Sequence, residues 1–188
     1  MNNPRSFGLP HDSFRPSQLD AIQKVIALHR MGGGVLFLDS PVGTGKSGIA
    51  CALGSVDKVT VMTSTLALLT QYEQGYGFTA IRGRQWYKCV YPKKVQSWKG
   101  QYPPTAYDCH FAKMTNCPAA NECPYIKAKV AALTAQRTVC TYRYGALSSS
   151  LARRPGFLVF DECDVSAREI IAHSEMIITN EEKTQWEF

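Results

Sequence analysis

The stretch Val35-Leu36-Phe37-Leu38-Asp39-Ser40-Pro41-Val42-Gly43-Thr44-Gly45-Lys46-Ser47 constrains the fold of this chain more than any other. Four apolar residues in a row suit a parallel strand covered on both faces, which reads as a continuous hydrophobic run. A glycine-bearing turn follows, and residues 46–54 read as a helix. Such a turn aims backbone N–H groups and a helix N-terminus at an anion. Against the phosphate-loop pattern G-x-x-x-x-G-K-[ST], Gly45, Lys46 and Ser47 fit, while Ser40 stands where the first glycine is usual. In that chemistry Lys46 reaches the β- and γ-phosphates of a nucleotide and the Ser47 hydroxyl ligates Mg²⁺. A plain Gly-rich turn between strand and helix would look similar, so the assignment needs a second motif.

That motif is Phe157-Leu158-Val159-Phe160 followed at once by Asp161-Glu162. An aspartate ending a buried strand can hold Mg²⁺ through water, and the adjacent glutamate can polarise an attacking water. Solvated acidic strand ends are common, but two such strand-end motifs in this order point to a nucleoside triphosphatase. Lys46, Asp161 and Glu162 are then the catalytic candidates.

The remaining pattern alternates helix and strand. Residues 17–30 place Leu19, Ile22, Val25, Ile26 and Leu28 on one helical face. Strands are expected at 58–64, 137–142 and 157–160, with a helix over 65–74. Alternation of this kind predicts an α/β fold, a parallel sheet with helices on both faces. The 188 residues suffice for one sizeable core and an insertion. No run of eighteen apolar residues is present, and the first ten residues lack the apolar core of a signal peptide, so a cytoplasmic or nucleoid or nuclear location is expected, with no membrane. The formal net charge of +6 is compatible with a polyanionic partner.

Residues 83–125 break the rhythm. Cys89, Cys109, Cys117 and Cys123 crowd there with five prolines and several aromatic residues. A stretch of this length without a hydrophobic period needs another organiser. Four thiolates can hold either Zn²⁺ or a [4Fe–4S] cluster. Structural zinc sites favour short C-x2–4-C knuckles, which this segment lacks, and that tilts the reading toward iron–sulfur. His110, beside Cys109, is an alternative ligand, whereas Cys51 and Cys140 read as core residues and Cys163 carries no sign of reactivity.

Taken together, these motifs resemble the N-terminal part of the iron–sulfur superfamily 2 DNA helicases, the XPD/DinG group. Phe14-Arg15-Pro16-Ser17-Gln18 is similar to their adenine-recognising motif, with Arg15 and Gln18 in the matching places. Ser40-Pro41-Val42-Gly43-Thr44-Gly45-Lys46-Ser47 resembles their motif I, where a small residue replaces the first glycine. Residues 63–71 resemble motif Ia, 82–89 and 123–129 resemble the two flanks of the cluster domain, and Asp161-Glu162-Cys163-Asp164 stands at the "DEAH" box. The resemblance implies a RecA-like first motor domain over 1–82 and 126–188, the latter including the possible start of an arch insertion, with a cluster domain over 83–125. It implies ATP bound by Arg15, Gln18 and residues 40–47, Mg²⁺ at Ser47 and Asp161, and a [4Fe–4S] cluster on the four cysteines.

Departures are Asp164 at the usual histidine, Thr141 at a usual asparagine, and an end at Phe188 before any second RecA-like domain. The expectation is therefore a fragment or truncated frame of a 5′→3′ helicase, slow in turnover by itself. Single-stranded or forked DNA would meet Thr63, Ser64 and Thr65, and basic residues such as Arg84 and Lys88 set among aromatic rings. The alternatives are a zinc-stapled P-loop ATPase of another class and a nucleic-acid-binding module with a nucleotide site but no independent turnover.

Overall fold

The computed structural model describes residues 3–7, 12–41, 43–111 and 116–164. At its centre is a four-stranded, all-parallel sheet in the order β2-β3-β1-β4, made of β1 (Val59–Thr63), β2 (Thr79–Ala80), β3 (Arg137–Thr141) and β4 (Phe157–Phe160). The helices are α1 (Pro16–Arg30), α2 (Lys46–Leu53), α3 (Leu66–Tyr76), α4 (Pro92–Ser97), α5 (Pro124–Thr134), α6 (Tyr142–Leu147) and α7 (Ser149–Ala152). The α/β architecture expected from the alternating pattern is present.

Side chains alternate across a strand, and β1 and β3 are covered on both sides, while Leu158 and Phe160 of β4 stay exposed. Val59, Val61 and Val139 face Ala50 and Cys51 of α2 and Leu69 and Tyr72 of α3. Ala21, Ile22 and Ile26 of α1 close on Ile49, Ala52 and Leu53 of α2 beside them. Met62 and Cys140 point the other way, onto Tyr125 and Ala132 of α5, Tyr142 and Tyr144 of α6, and Ala106 and Cys123 of the cysteine-bearing segment. Burial there pushes the Cys140 thiol up to about 12, as befits a core residue. At the other end of the sheet the Arg154 guanidinium donates to Thr60 Oγ1 at 3.2 Å and Thr138 Oγ1 at 2.7 Å, fastening β1 to β3.

One expected strand is absent from the sheet. Val35–Leu38 runs outside it, with Val35 78% and Phe37 83% exposed, and β4 is the sheet's outer strand. Gly32 and Gly33, at φ +99° and +111°, turn the chain off the end of α1 into this exposed run. An apolar run shows what could pair in a sheet, not that it does.

Parallel register sets the functional edge. Thr63 lies opposite Thr141, and Met62 opposite Phe160, so Asp161 comes level with the end of β1, its N–H donating to the Met62 carbonyl at 3.0 Å. Ligands of open parallel sheets bind at this carboxyl edge.

Gly156 starts β4 at φ +106°, and a Cβ there would run into the Lys58 carbonyl, which accepts from Phe157 N–H at 2.7 Å. Gly156→Ala is expected to lower thermal stability by about 1–3 kcal/mol, roughly 3–10 °C in Tm. Gly75→Ala, inside α3 with open space at its Cβ, should be neutral or stabilising. Equal melting of the two variants would contradict this start to β4.

Candidate functional site

Residues 40–47 are held from outside by the start of α1. Pro16 occupies the first helical turn, where a missing N–H costs nothing, and fixes Arg15 in an extended conformation. The Arg15 guanidinium donates to the Gly43 carbonyl. Gln18, buried, accepts from Arg15 N–H at 2.9 Å and donates through Nε2 to the Gly45 carbonyl at 2.9 Å. The structure thus sets Arg15 and Gln18 on the loop's own backbone. Gly43 and Gly45 sit at φ +81° and +84°, and a Cβ on Gly45 would collide with the Gln18 amide. Only glycine suits that position.

Within the loop, Lys46 Nζ donates to the carbonyls of Ser40 at 2.6 Å and Pro41 at 3.2 Å. Ser40 Oγ and Thr44 Oγ1 lie 2.9 Å apart, and Thr44 Oγ1 also donates to the Pro41 carbonyl at 2.8 Å. Val42 lies outside the described residues. Because Gly45 directs its carbonyl toward Gln18 and the Gly48 N–H, the trans peptide turns the Lys46 N–H the opposite way, off the start of α2.

Asp161 is placed by two tyrosines that sequence reasoning missed. Tyr72 Oη donates to Asp161 Oδ2 at 2.9 Å, and Tyr142 Oη donates to the Asp161 carbonyl. Tyr72, 1% exposed on the inner face of α3, also interacts with the Ser47 hydroxyl, which acts to lower its phenol's pKa. Ser47 and Asp161 thereby come together at Tyr72. Helical spacing could have put Tyr72 in the core with Leu69, but no local signal tells where its hydroxyl ends. Burial, then the Asp161 charge, pushes the Tyr72 phenol well above its ordinary range, so it is a neutral donor.

Glu162 stands exposed at φ +58°, its Oε2 accepting from Ser64 Oγ at 2.7 Å. Of the residues expected to meet nucleic acid, Thr63 is fully buried and its hydroxyl donates to the Thr65 carbonyl at 3.2 Å, so its side chain is not at the surface. Ser64 is half-buried, and Thr65 is exposed and caps α3 by accepting from Leu68 N–H at 3.2 Å. Arg84 and Lys88 are exposed, Arg84 lying 5.6 Å over the Tyr125 ring.

The four cysteines come together. Cys89, Cys109, Cys117 and Cys123 line one pocket with Val90, Tyr91, Ala106 and Ala119. Short turns present them: Cys89 N–H donates to the Pro104 carbonyl at 2.8 Å, Cys109 follows the turn Ala106–Asp108, and Cys123 caps α5. The Tyr125–Tyr144 hydroxyl pair, 3.0 Å apart and buried, ties this region to α6. Among the described residues no three His, Cys, Asp or Glu side chains close on a single-ion site. Nor does any described helix have the length and apolarity to cross a membrane.

Compared with protein-family models, the chain matches none, and no curated protein matches it at a significant level.

Burial raises Asp161 above the ordinary carboxylate range; the neighbouring Glu162 charge adds to this, while the Tyr72 hydrogen bond and Lys46 act downward. The folded protein then keeps a proton that the unfolded chain has lost, so this site's contribution to stability falls as pH rises through that window. Asp161→Asn removes the cost. Its Tm relative to wild type is expected to rise from about pH 4 toward neutrality. A relative Tm that is flat or falls across that range in parallel thermal melts would contradict the assignment.

Proposed function

We propose that this chain carries the first motor domain of an ATP-dependent DNA helicase of the iron–sulfur superfamily 2 kind, RecA-like in fold with a cysteine-rich insertion. The observation that carries the reading is the convergence of Ser47 and Asp161 at the carboxyl edge of the sheet, beside a glycine loop closed around Lys46. The loop of residues 40–47 and the acidic end of β4 lie far apart in sequence, and a shared ligand accounts for their meeting.

In this reading the triphosphate lies against the N-terminus of α2, where the Lys46 N–H and the remaining proton of its ammonium group face it. Ser47 and Asp161 are the residues that would hold Mg²⁺, which supplies neutralisation of charge on the β- and γ-phosphates. Glu162 orients the attacking water. A strand phosphate taking the Ser64 hydroxyl would release Glu162 from its resting hydrogen bond, which links nucleic acid to turnover. Arg15 and Gln18 hold the loop, and either can add a contact to the adenine beyond it. Efficient hydrolysis needs an arginine of the kind supplied from outside such a domain, worth about 10³–10⁵ in rate in related phosphoryl transfer. The four thiols that line one pocket, Cys89, Cys109, Cys117 and Cys123, suit a [4Fe–4S] cluster, whose chemistry here would be to brace an insertion poor in regular structure.

Protein purified without oxygen is expected to be brown and to carry about four irons per chain, and Cys→Ser at any of the four positions should bleach it. Stoichiometric zinc in colourless protein would favour the zinc-stapled ATPase instead. The same preparation should bind a labelled single-stranded oligonucleotide in a salt-sensitive way. Reversing Arg84 and Lys88 to Glu should lower the log–log salt slope by about 1.4, the equivalent of two phosphate contacts. Reversing Lys24 and Arg30, exposed on α1, should leave that slope unchanged. Equal effects of the two pairs would show that general positive charge holds the strand.

A further inference from the structure

Tyr72 is a buried polar group that the proposed chemistry does not use. It is 1% exposed, sits in α3 rather than in either nucleotide motif, and lies edge-on to Phe78 with ring centroids 5.2 Å apart. A phenylalanine would make the same packing. The hydroxyl is what requires explanation, because burying one without need costs about 1–3 kcal/mol unless its partners repay it.

Its partners are the two candidate metal-holding side chains. A phenol has one proton to give and lone pairs to receive with. Here the proton goes to Asp161 Oδ2 at 2.9 Å, and the Ser47 hydroxyl interacts with the same phenol. The Tyr72–Asp161 hydrogen bond has a fixed direction, since a carboxylate can only accept. Two consequences follow. The Tyr72 oxygen, its proton given to Asp161, could only accept from Ser47, which would leave the Ser47 lone pairs for a cation. Of the Asp161 carboxylate, one oxygen is tied to α3, and the rotation of the group is thereby set. Tyr142, on the other side, holds the Asp161 carbonyl and fixes the backbone on which that carboxylate turns.

We propose that Tyr72 is a positioning residue for the divalent cation, its hydroxyl orienting Ser47 and Asp161 together as one half-site. The proposal rests on the reading of residues 40–47 and 161 as a Mg²⁺–nucleotide site. It assigns to Tyr72 no contact with nucleotide or metal. Partners of this kind behind metal-holding groups typically alter metal affinity 10–100-fold when removed.

The test separates metal from nucleotide. Binding of a fluorescent N-methylanthraniloyl-ATP is measured for the full chain in EDTA and then along a Mn²⁺ titration, for wild type, Tyr72→Phe and Lys46→Ala. Tyr72→Phe should bind the probe in EDTA as wild type does, while its Mn²⁺ midpoint moves about 10–100-fold upward. Lys46→Ala should weaken binding under both conditions. Should Tyr72→Phe fail to fold, 4-fluorophenylalanine at position 72 fills the space of the hydroxyl without a proton to donate, and should shift the midpoint likewise. An unchanged Mn²⁺ midpoint in a folded variant overturns the role of Tyr72 even if its Tm falls, since packing alone would move only Tm. Wild-type binding indifferent to Mn²⁺ or to Lys46→Ala overturns the nucleotide reading, and the Tyr72 proposal with it.

Discussion

Parallel pairing of β1 with both β3 and β4 is the constraint on which the rest of this structure depends. It brings Thr63, Thr141 and Asp161 level at one edge, and it makes the residues that follow each strand neighbours there. The side chains of the turn after β1 then reach those of the turn after β4, as the Ser64–Glu162 hydrogen bond records. Helix α3, leaving β1, returns across the sheet with Tyr72 directed at Asp161. A slip of one residue would turn every side chain to the opposite face and dissolve these contacts together. The two covered faces hold that register, with Val59, Val61 and Val139 on one side and Met62 and Cys140 on the other.

Much of this was legible in the sequence for physical reasons that can be named. Helix α1 shows in its apolar spacing and in Pro16, β1 and β3 in their β-branched runs, and β4 in four apolar residues closed by two acids. Ser47 and Asp161 are expected to share one Mg²⁺ site, and in the structure both lie at Tyr72. Val35–Leu38 misled, because hydrophobicity reports the capacity to be buried and leaves open whether a sheet edge receives it. Thr63 misled in the opposite sense. A hydroxyl at a strand end looks available to a phosphate, yet the close pairing of β1 with β3 buries it completely. Tyr72 and Tyr142 could not be read at all, since a tyrosine on an apolar face looks the same whether its hydroxyl meets water or the residue that ends a strand.

The cysteine-bearing segment follows a different logic. Between β2 and α5, Ile81 enters the core directly after β2, and of the cysteine-bearing segment Ala106 and Cys123 join it at the turns that present thiols. Tyr87 hydrogen-bonds the Arg82 N–H at 3.1 Å, and Arg82 itself pairs with Glu73 of α3. The near end of the segment is thus anchored to the same helix that carries Tyr72. Its far end runs through Cys123 directly into α5, which packs on the opposite face of the sheet. One sheet therefore supports both the proposed nucleotide site and the thiol pocket, each through helices packed on it.

Locating the metal tests the central claim most directly. In crystals grown with Mn²⁺ and a non-hydrolysable ATP analogue, anomalous scattering should place one Mn²⁺ at Ser47, within one water of the Asp161 carboxylate, with the γ-phosphate at Lys46. A metal or triphosphate anywhere other than the carboxyl edge of β1 and β4 would contradict the account.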